Sequence, residues 1–249
     1  MLTEPRTRAA IAIPVAILAL IGFVVLAAVV HAHAVLPIDV AVTRAVQAVP
    51  LPFYQWVLIH VSDLGFGLAG PLTYVVIFVL LVAIGRRRDA VLAVASVLLA
   101  SGLGGAIKIA IGRPRPSAAY VHVMRFLGDK SFPSGHVIHY TVLFGFAFYV
   151  LRQARPRSLW RDAVLVALAL LVALVGPSRV YRGEHWPTDV LGGYLLAGLW
   201  LAGAILLSRA LAARRRLPQT LHRDVDADED AQRIEAEGLR SQRDAQSRV

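Results

Sequence analysis

Three short polar clusters interrupt a very apolar chain, and their residue types suit phosphoryl chemistry. The first is Lys108 with Arg115-Pro116, six residues lying between the two cations. The second is Pro133-Ser134-Gly135-His136, and the third is Ser178-Arg179 followed by His185 and Asp189. Guanidinium forks match phosphate oxygens two at a time, whereas an ammonium acts as a point charge. Ser134 and Gly135 precede an apolar run, and a hydroxyl and an unhindered N–H at a helix start make an anion site. An ordinary helix cap explains Ser134 equally well. Asp189 stands four residues beyond His185, so on a helix beginning near Pro187 its carboxylate reaches back to the imidazole. Such a carboxylate orients the ring and stabilises the imidazolium. It also suits a simple cap of that helix. Lys108 alone reads as a snorkelling interfacial charge. Arg113-Pro114 offers a second Arg-Pro beside Arg115-Pro116, and the prolines keep this stretch from continuing as helix.

The elements that must position these clusters are membrane spans. Hydrophobic residues make up 57% of 249 residues, against about 45–50% in soluble domains. Runs of about 17–25 apolar residues occur six times, near Ala9–Val30, Phe66–Ile84, Ala90–Ile107, Val137–Leu151, Ala163–Val175 and Val190–Leu207. Each cluster falls at the end of such a run. The expected fold is all-α: a polytopic helical bundle with six transmembrane helices. A short interfacial helix is expected in the first outer loop, near Val35–Gln47, with Phe53, Tyr54 and Trp56 at headgroup level; an ordinary packed loop explains the stretch equally well. The domain plan is residues 1–8 as a cytoplasmic N-terminus, 9–207 as the membrane domain and 208–249 as a charged, disordered tail.

Arginines fix the orientation. Arg6 and Arg8, Arg86–Arg88, the cluster from Arg152 to Arg161, and Arg209 with Arg214–Arg216 all fall on one side of a six-span plan. By the positive-inside rule that side is cytoplasmic, which puts both termini inside and all three clusters outside. The first run is longer than a signal peptide's apolar core and reads as an uncleaved anchor. A net charge of +10 raises nucleic acid as a partner, but loop arginines and anion-binding clusters account for it, so none is expected. The absence of cysteine removes disulfides, thiolate metal sites and a cysteine nucleophile together.

Taken jointly, Lys-x6-Arg-Pro, Pro-Ser-Gly-His and Ser-Arg-x5-His-x3-Asp resemble the three-part signature of the type 2 phosphatidic acid phosphatase superfamily. The match runs from Lys108 to Asp189 without a departure, and the six-residue spacing selects Arg115 over Arg113. What the resemblance implies is a metal-independent lipid phosphatase with no cofactor. His185 would be the nucleophile that forms a phosphohistidine, Asp189 its orienting partner, and His136 the general acid and then base. Lys108, Arg115, Ser134, Gly135 and Arg179 would bind the phosphoryl oxygens. The partners would be a lipid phosphate or diphosphate and membrane lipids, in a bacterial-type plasma membrane. Gly135 resembles the general lipid phosphatases, since many dedicated undecaprenyl-diphosphate phosphatases of the superfamily carry Asp there. A phosphotransferase using another acceptor, and a non-enzymatic channel or scaffold, are the alternatives. Tyr181, Arg182, Glu184 and Trp186 are expected to shape the rim.

Overall fold

The protein was analysed as a computed structural model, which describes residues 5–65, 67–154 and 157–213, with side chains from Ala12 onward. All regular structure among these residues is helical: α1 (Pro5–Ala32), α2 (Pro37–Gln47), α3 (Pro52–Val61), α4 (Ala69–Ala83), α5 (Arg87–Ile111), α6 (Gly135–Gln153), α7 (Leu159–Tyr181) and α8 (Pro187–Ala213). A short 3-10 turn, Ser62–Gly65, follows α3. The chain divides into two compact units, Met1–Ile205, which holds the bundle, and Leu206–Val249. Of the second unit only the end of α8 is described, so the tail expected from residue 208 lies largely outside the described residues.

Apolarity and burial run opposite to the order of a soluble protein. The α1 segment Ala12–Ala32 is the most apolar of the long helices, yet only 11% of it is buried. Ile13, Leu18, Ile21 and Val25 are more than half exposed, which water would penalise and lipid would not. Central α6 shows the converse. It packs between α5 and α7 and buries twelve residues from Val137 to Leu151. It therefore tolerates His139, Tyr140 and Thr141 along its length.

Among the described residues four helices, α1, α5, α7 and α8, are long and apolar enough to cross a membrane. A fifth crossing arises if the pair Pro52–Gly65 and Ala69–Ala83, bent by 75°, counts as one span. Helix α6, expected as a further span, is not among these helices; its neighbours cover most of its length. The chain is an integral membrane protein.

Where one interfacial helix was expected before α4, two helices form, each started by a proline at its first position (Pro37 and Pro52). That position suits proline, whose missing N–H would be unpaired there anyway. The α2 helix is sewn to the loop after α5. Arg44 Nε donates to Tyr120 O at 2.8 Å, and Gln47 Nε2 donates to His122 O at 2.7 Å and Tyr181 O at 2.8 Å.

Candidate active site

The site forms where α5, α6, α7 and α8 present their ends to one another. Helix α5 stops because Gly112 takes a left-handed conformation, φ +69°, while its N–H closes on Lys108 O. Glycine pays no steric penalty there. Lys108 is thus held in the last turn, and Arg113-Pro114-Arg115-Pro116 leaves as a restrained extended strip.

Along that strip the two arginines have separate destinations. Arg115 turns to the site: its Nη1 meets His185 Nε2 at 3.0 Å, and its Nε and Nη2 donate to Asp129 Oδ1 at 3.0 and 2.6 Å. Lys108 Nζ donates to Asp129 Oδ2 at 2.9 Å and to Lys130 O at 2.7 Å. Arg113 instead is buried behind the site. Its Nη1 donates to Asp189 Oδ1 and its Nη2 to Asp39 Oδ2, both at 2.6 Å, and its Nε to Ala34 O at 3.0 Å.

The His185–Asp189 pair is built by the start of α8. Asp189 Oδ2 accepts from the Trp186 N–H at 2.8 Å, a third-position carboxylate reaching back to the residue before the helix. It also accepts from Ser131 Oγ in a very short hydrogen bond. The next free helix N–H, that of Thr188, donates to Asp39 Oδ1 at 2.9 Å. Asp189 is therefore a cap and a neighbour of the imidazole at once. His185 Nδ1 lies 3.6 Å from Asp189 Oδ2, longer than a hydrogen bond, so the two are close neighbours across the start of α8.

Because a guanidinium only donates, its 3.0 Å contact requires Nε2 of His185 to be the acceptor, which leaves the ring proton on Nδ1 toward Asp189. Burial, then the charges of Arg115, Arg179 and Lys108, push the imidazole well below its usual 6.5. His185 is thus neutral at ordinary pH, with its Nε2 lone pair among cations.

Ser134 occupies the cap position of α6 but makes no capping hydrogen bond. Its hydroxyl is buried and unpaired among the described residues. Its backbone N–H donates to Asp189 O at 3.0 Å, which ties the second cluster to the third. A Cβ built on Gly135 would meet no atom within 4 Å, so space opens beside this helix start. His136 follows in the first turn, within electrostatic reach of Arg179, His185 and Arg115. Gly65 packs on it so closely that a Cβ there would lie 2.5 Å from the ring. His139 turns away and meets Thr73 Oγ1 at 3.0 Å.

Arg179 is fully buried and paired with Glu184 in a very short contact. Arg182 Nε holds the other Glu184 oxygen at 2.9 Å, and Arg182 Nη1 lies 3.0 Å from Asp63. These residues do not form a rim as expected: Arg182, Glu184 and Trp186 are buried at 8%, 1% and 0% exposure. They build the layer that holds Arg179 and His185. Gly183 allows the chain to turn inside this layer, with φ +63° and His122 O where a Cβ would stand.

The eight expected residues fall at or beside the ends of α5, α6, α7 and α8, and Arg115 and Arg179 come within electrostatic reach of both His136 and His185. Nothing in the sequence singles out Asp129 or Ser131; Asp39 falls within the stretch expected as an interfacial helix, and Glu184 is expected only at the rim. Motif spacing set Arg113 aside, and only its proximity in sequence to Arg115 hinted at a role. Among the described residues, no group of three or more His, Asp or Glu side chains is arranged to hold a metal ion.

The model of the PAP2 superfamily matches residues 89–212. Phosphatidylglycerophosphatase B of Bacillus subtilis is 31% identical over 185 residues, which cover 70% of this chain and 85% of that protein. The undecaprenyl-diphosphatase of Sulfolobus acidocaldarius is 32% identical over 120 residues, 47% of this chain and 53% of that one. Among solved structures, a transmembrane PAP2-type phosphatidylglycerolphosphate phosphatase from Bacillus subtilis superposes with a TM-score of 0.68. It is 26% identical, and the match covers 78% of this chain and 96% of that one.

Proposed function

The chain belongs to the PAP2 superfamily, and from that premise we propose that it is a membrane phosphatase. Its substrate would be a lipid phosphate or diphosphate, hydrolysed without a metal through a phosphohistidine on His185. The observation that carries this reading is the 3.0 Å contact between Arg115 Nη1 and His185 Nε2. A neutral imidazole nitrogen lies where a phosphate held by Arg115 would present its phosphorus.

In the first half-reaction His185 Nε2 attacks phosphorus in line, and the P–N bond forms as the bond to the lipid oxygen breaks. Lys108, Arg115 and Arg179, with the Ser134 hydroxyl and the N–H groups at the start of α6, hold the phosphoryl oxygens and balance their charge. His136 gives its proton to the departing lipid oxygen. Asp189 faces the Nδ1–H and stabilises the charge that the ring acquires. In the second half-reaction His136 takes a proton from water, the water oxygen attacks phosphorus, and the P–N bond breaks. Inorganic phosphate leaves and both histidines return to their starting states.

The substrate class follows from the setting and the relatives. A site at the ends of membrane helices suits an amphiphile whose headgroup sits at the surface. The relatives' names point to phosphatidylglycerol phosphate and undecaprenyl diphosphate. The broader match to the first, with Gly135 in the second cluster, favours a phosphate monoester on a glycerolipid. In the six-span arrangement α1, α4, α5, α6, α7 and α8 cross the bilayer, α2 lies at the outer interface, and both termini are cytoplasmic.

Phosphate release from phosphatidylglycerol phosphate, phosphatidic acid and undecaprenyl diphosphate, with no acceptor alcohol added, tests the reading. Release from at least one of them is expected. Turnover only when an acceptor is supplied would convert the assignment to a phosphotransferase.

A further inference from the structure

All three cations of the phosphate cradle already have carboxylate partners, and the two carboxylates differ in kind. Glu184, the partner of Arg179, is 1% exposed and clamped on its other side by Arg182. It is a permanent part of the layer behind the site. Asp129, the partner of Lys108 and Arg115, sits on the irregular loop between α5 and α6 with its side chain 57% exposed. Its Oδ1 takes the Arg115 fork and its Oδ2 takes Lys108. That bridging of a guanidinium and an ammonium is what a bound phosphate oxygen pair would do. Partial burial acts against the charge of Asp129, but Lys108 and Arg115 outweigh it and hold the carboxyl down to about 2. The group is therefore an anion at any working pH.

Resting on the phosphatase reading, we propose that Asp129 is a specificity-determining residue. It occupies the Lys108–Arg115 anion subsite of the empty enzyme, and it yields to a terminal phosphate dianion but not to a phosphodiester. A site at a membrane surface is surrounded by phosphodiester headgroups in excess over its substrate. An uncovered pair of cations would collect them. A phosphodiester brings one negative charge and two free oxygens, no more than the carboxylate it must displace. A phosphate monoester brings nearly two charges and three free oxygens, its second ionisation lying near pH ~6. Exchange then gains charge-assisted hydrogen bonds only for the monoester. Discrimination arises from a repulsive element against the wrong ligand, not from tighter contacts to the right one.

The test compares wild type with Asp129→Asn, which keeps the shape and removes the charge, and Asp129→Glu, which keeps the charge. Each is assayed for phosphate release from dioctanoyl phosphatidic acid in neutral detergent, with inorganic phosphate or dioleoyl phosphatidylglycerol as inhibitor. Wild type and Asp129→Glu are expected to be inhibited by phosphate and indifferent to phosphatidylglycerol. In Asp129→Asn the inhibition constant for phosphatidylglycerol should fall at least about tenfold, as when a like-charge obstacle is removed, and that for phosphate should fall less. Unchanged inhibition constants would overturn the proposal. So would a parallel weakening of every anion together with the substrate, because Asp129 would then be aligning the cations instead of guarding them. A wild type that releases no phosphate from any lipid phosphate and ignores inorganic phosphate overturns the phosphatase reading as well. An active wild type with an indifferent Asp129→Asn overturns this inference alone.

Discussion

Arg113 and Asp189 meet at 2.6 Å with neither side chain exposed. A cation beyond the reach of solvent thus holds the carboxylate that faces the proposed nucleophile. Its other arm reaches Asp39 on α2, also at 2.6 Å and fully buried. The series runs His185, Asp189, Arg113, Asp39, and it joins the start of α8, beside the proposed nucleophile, to α2. Thr188 closes the loop by donating its hydroxyl to Asp39 at 2.7 Å. Neighbouring arginines of one short strip are thereby divided, Arg115 to the phosphate side and Arg113 to the scaffold side.

Removing the scaffold cation should unfold more than it inactivates. Arg113→Met leaves two buried carboxylates without their guanidinium, a loss of about 3–5 kcal/mol for a broken buried pair. Thermal unfolding in detergent measures it, and a drop in midpoint far beyond that of an exposed Arg44→Met is expected. Asp39→Asn keeps the shape but weakens the hold on Arg113. It should lower kcat by up to about a hundredfold with KM nearly unchanged, as misplacement of a catalytic group does.

Helix ends and motif spacing are legible in the sequence because both are local properties. The eight residues at Lys108, Arg115, Ser134, Gly135, His136, Arg179, His185 and Asp189 all lie within motifs that repeat a known order. Asp39 and Asp129 carry no such mark, and Glu184, though it lies between Arg179 and His185, stands at an unspecified position of the third motif. Asp39 lies 74 positions from Arg113, and nothing in an apolar helix pattern distinguishes a carboxylate facing water from one facing a buried guanidinium. The interfacial reading of α2 counted its polar residues without knowing that Asp39 and Thr43 are its buried ones. Helix α6, read from the sequence as an apolar run, is mixed with polar residues for the reverse reason, since a helix covered by protein need not be greasy all round.

Two glycine substitutions should separate the acid from the cradle. In Gly65→Ala the new methyl would press on the His136 ring, and kcat should fall by up to about a hundredfold through misplacement of the proposed acid. In Gly135→Ala the methyl meets no protein atom, so thermal stability should hold while KM rises, because only the substrate contends for that space. Steady-state kinetics beside melting curves checks both, and a clean exchange of the two phenotypes would reverse the roles.

The pH dependence follows from the sign of the shift at His185. Burial and the cations Arg115, Arg179 and Lys108 favour its neutral form, so it accepts a proton only well below 6.5. The nucleophile is then active above that point and lost as pH falls through it. In kcat/KM, which reports the free enzyme, the limb due to His185 should lie below the ordinary imidazole range. Arg115→Gln removes one opposing charge, so its acid limb should move upward. The substrate's own ionisation is common to both proteins, and comparing them on one substrate isolates the enzyme's part. A limb that moves downward in Arg115→Gln would contradict this electrostatic account.

Topology has its own direct check because the chain has no cysteine. A single Arg125→Cys in the loop between α5 and α6 should react with an impermeant maleimide from the outer face of intact cells. A single Arg87→Cys at the start of α5 should react only after the membrane is opened. Labelling in the opposite sense would invert the six-span orientation.

The central claim is that His185 of this chain carries the phosphoryl group with no metal. The most direct measurement is initial phosphate release from a lipid phosphate by purified wild type and His185→Ala, both in excess EDTA. Acid-labile phosphate on the protein is scored in the same quenched samples. Full EDTA resistance is expected in wild type, with loss of turnover by at least about a thousandfold in the variant and any protein-bound phosphate confined to wild type. Equal turnover by wild type and His185→Ala would contradict the claim.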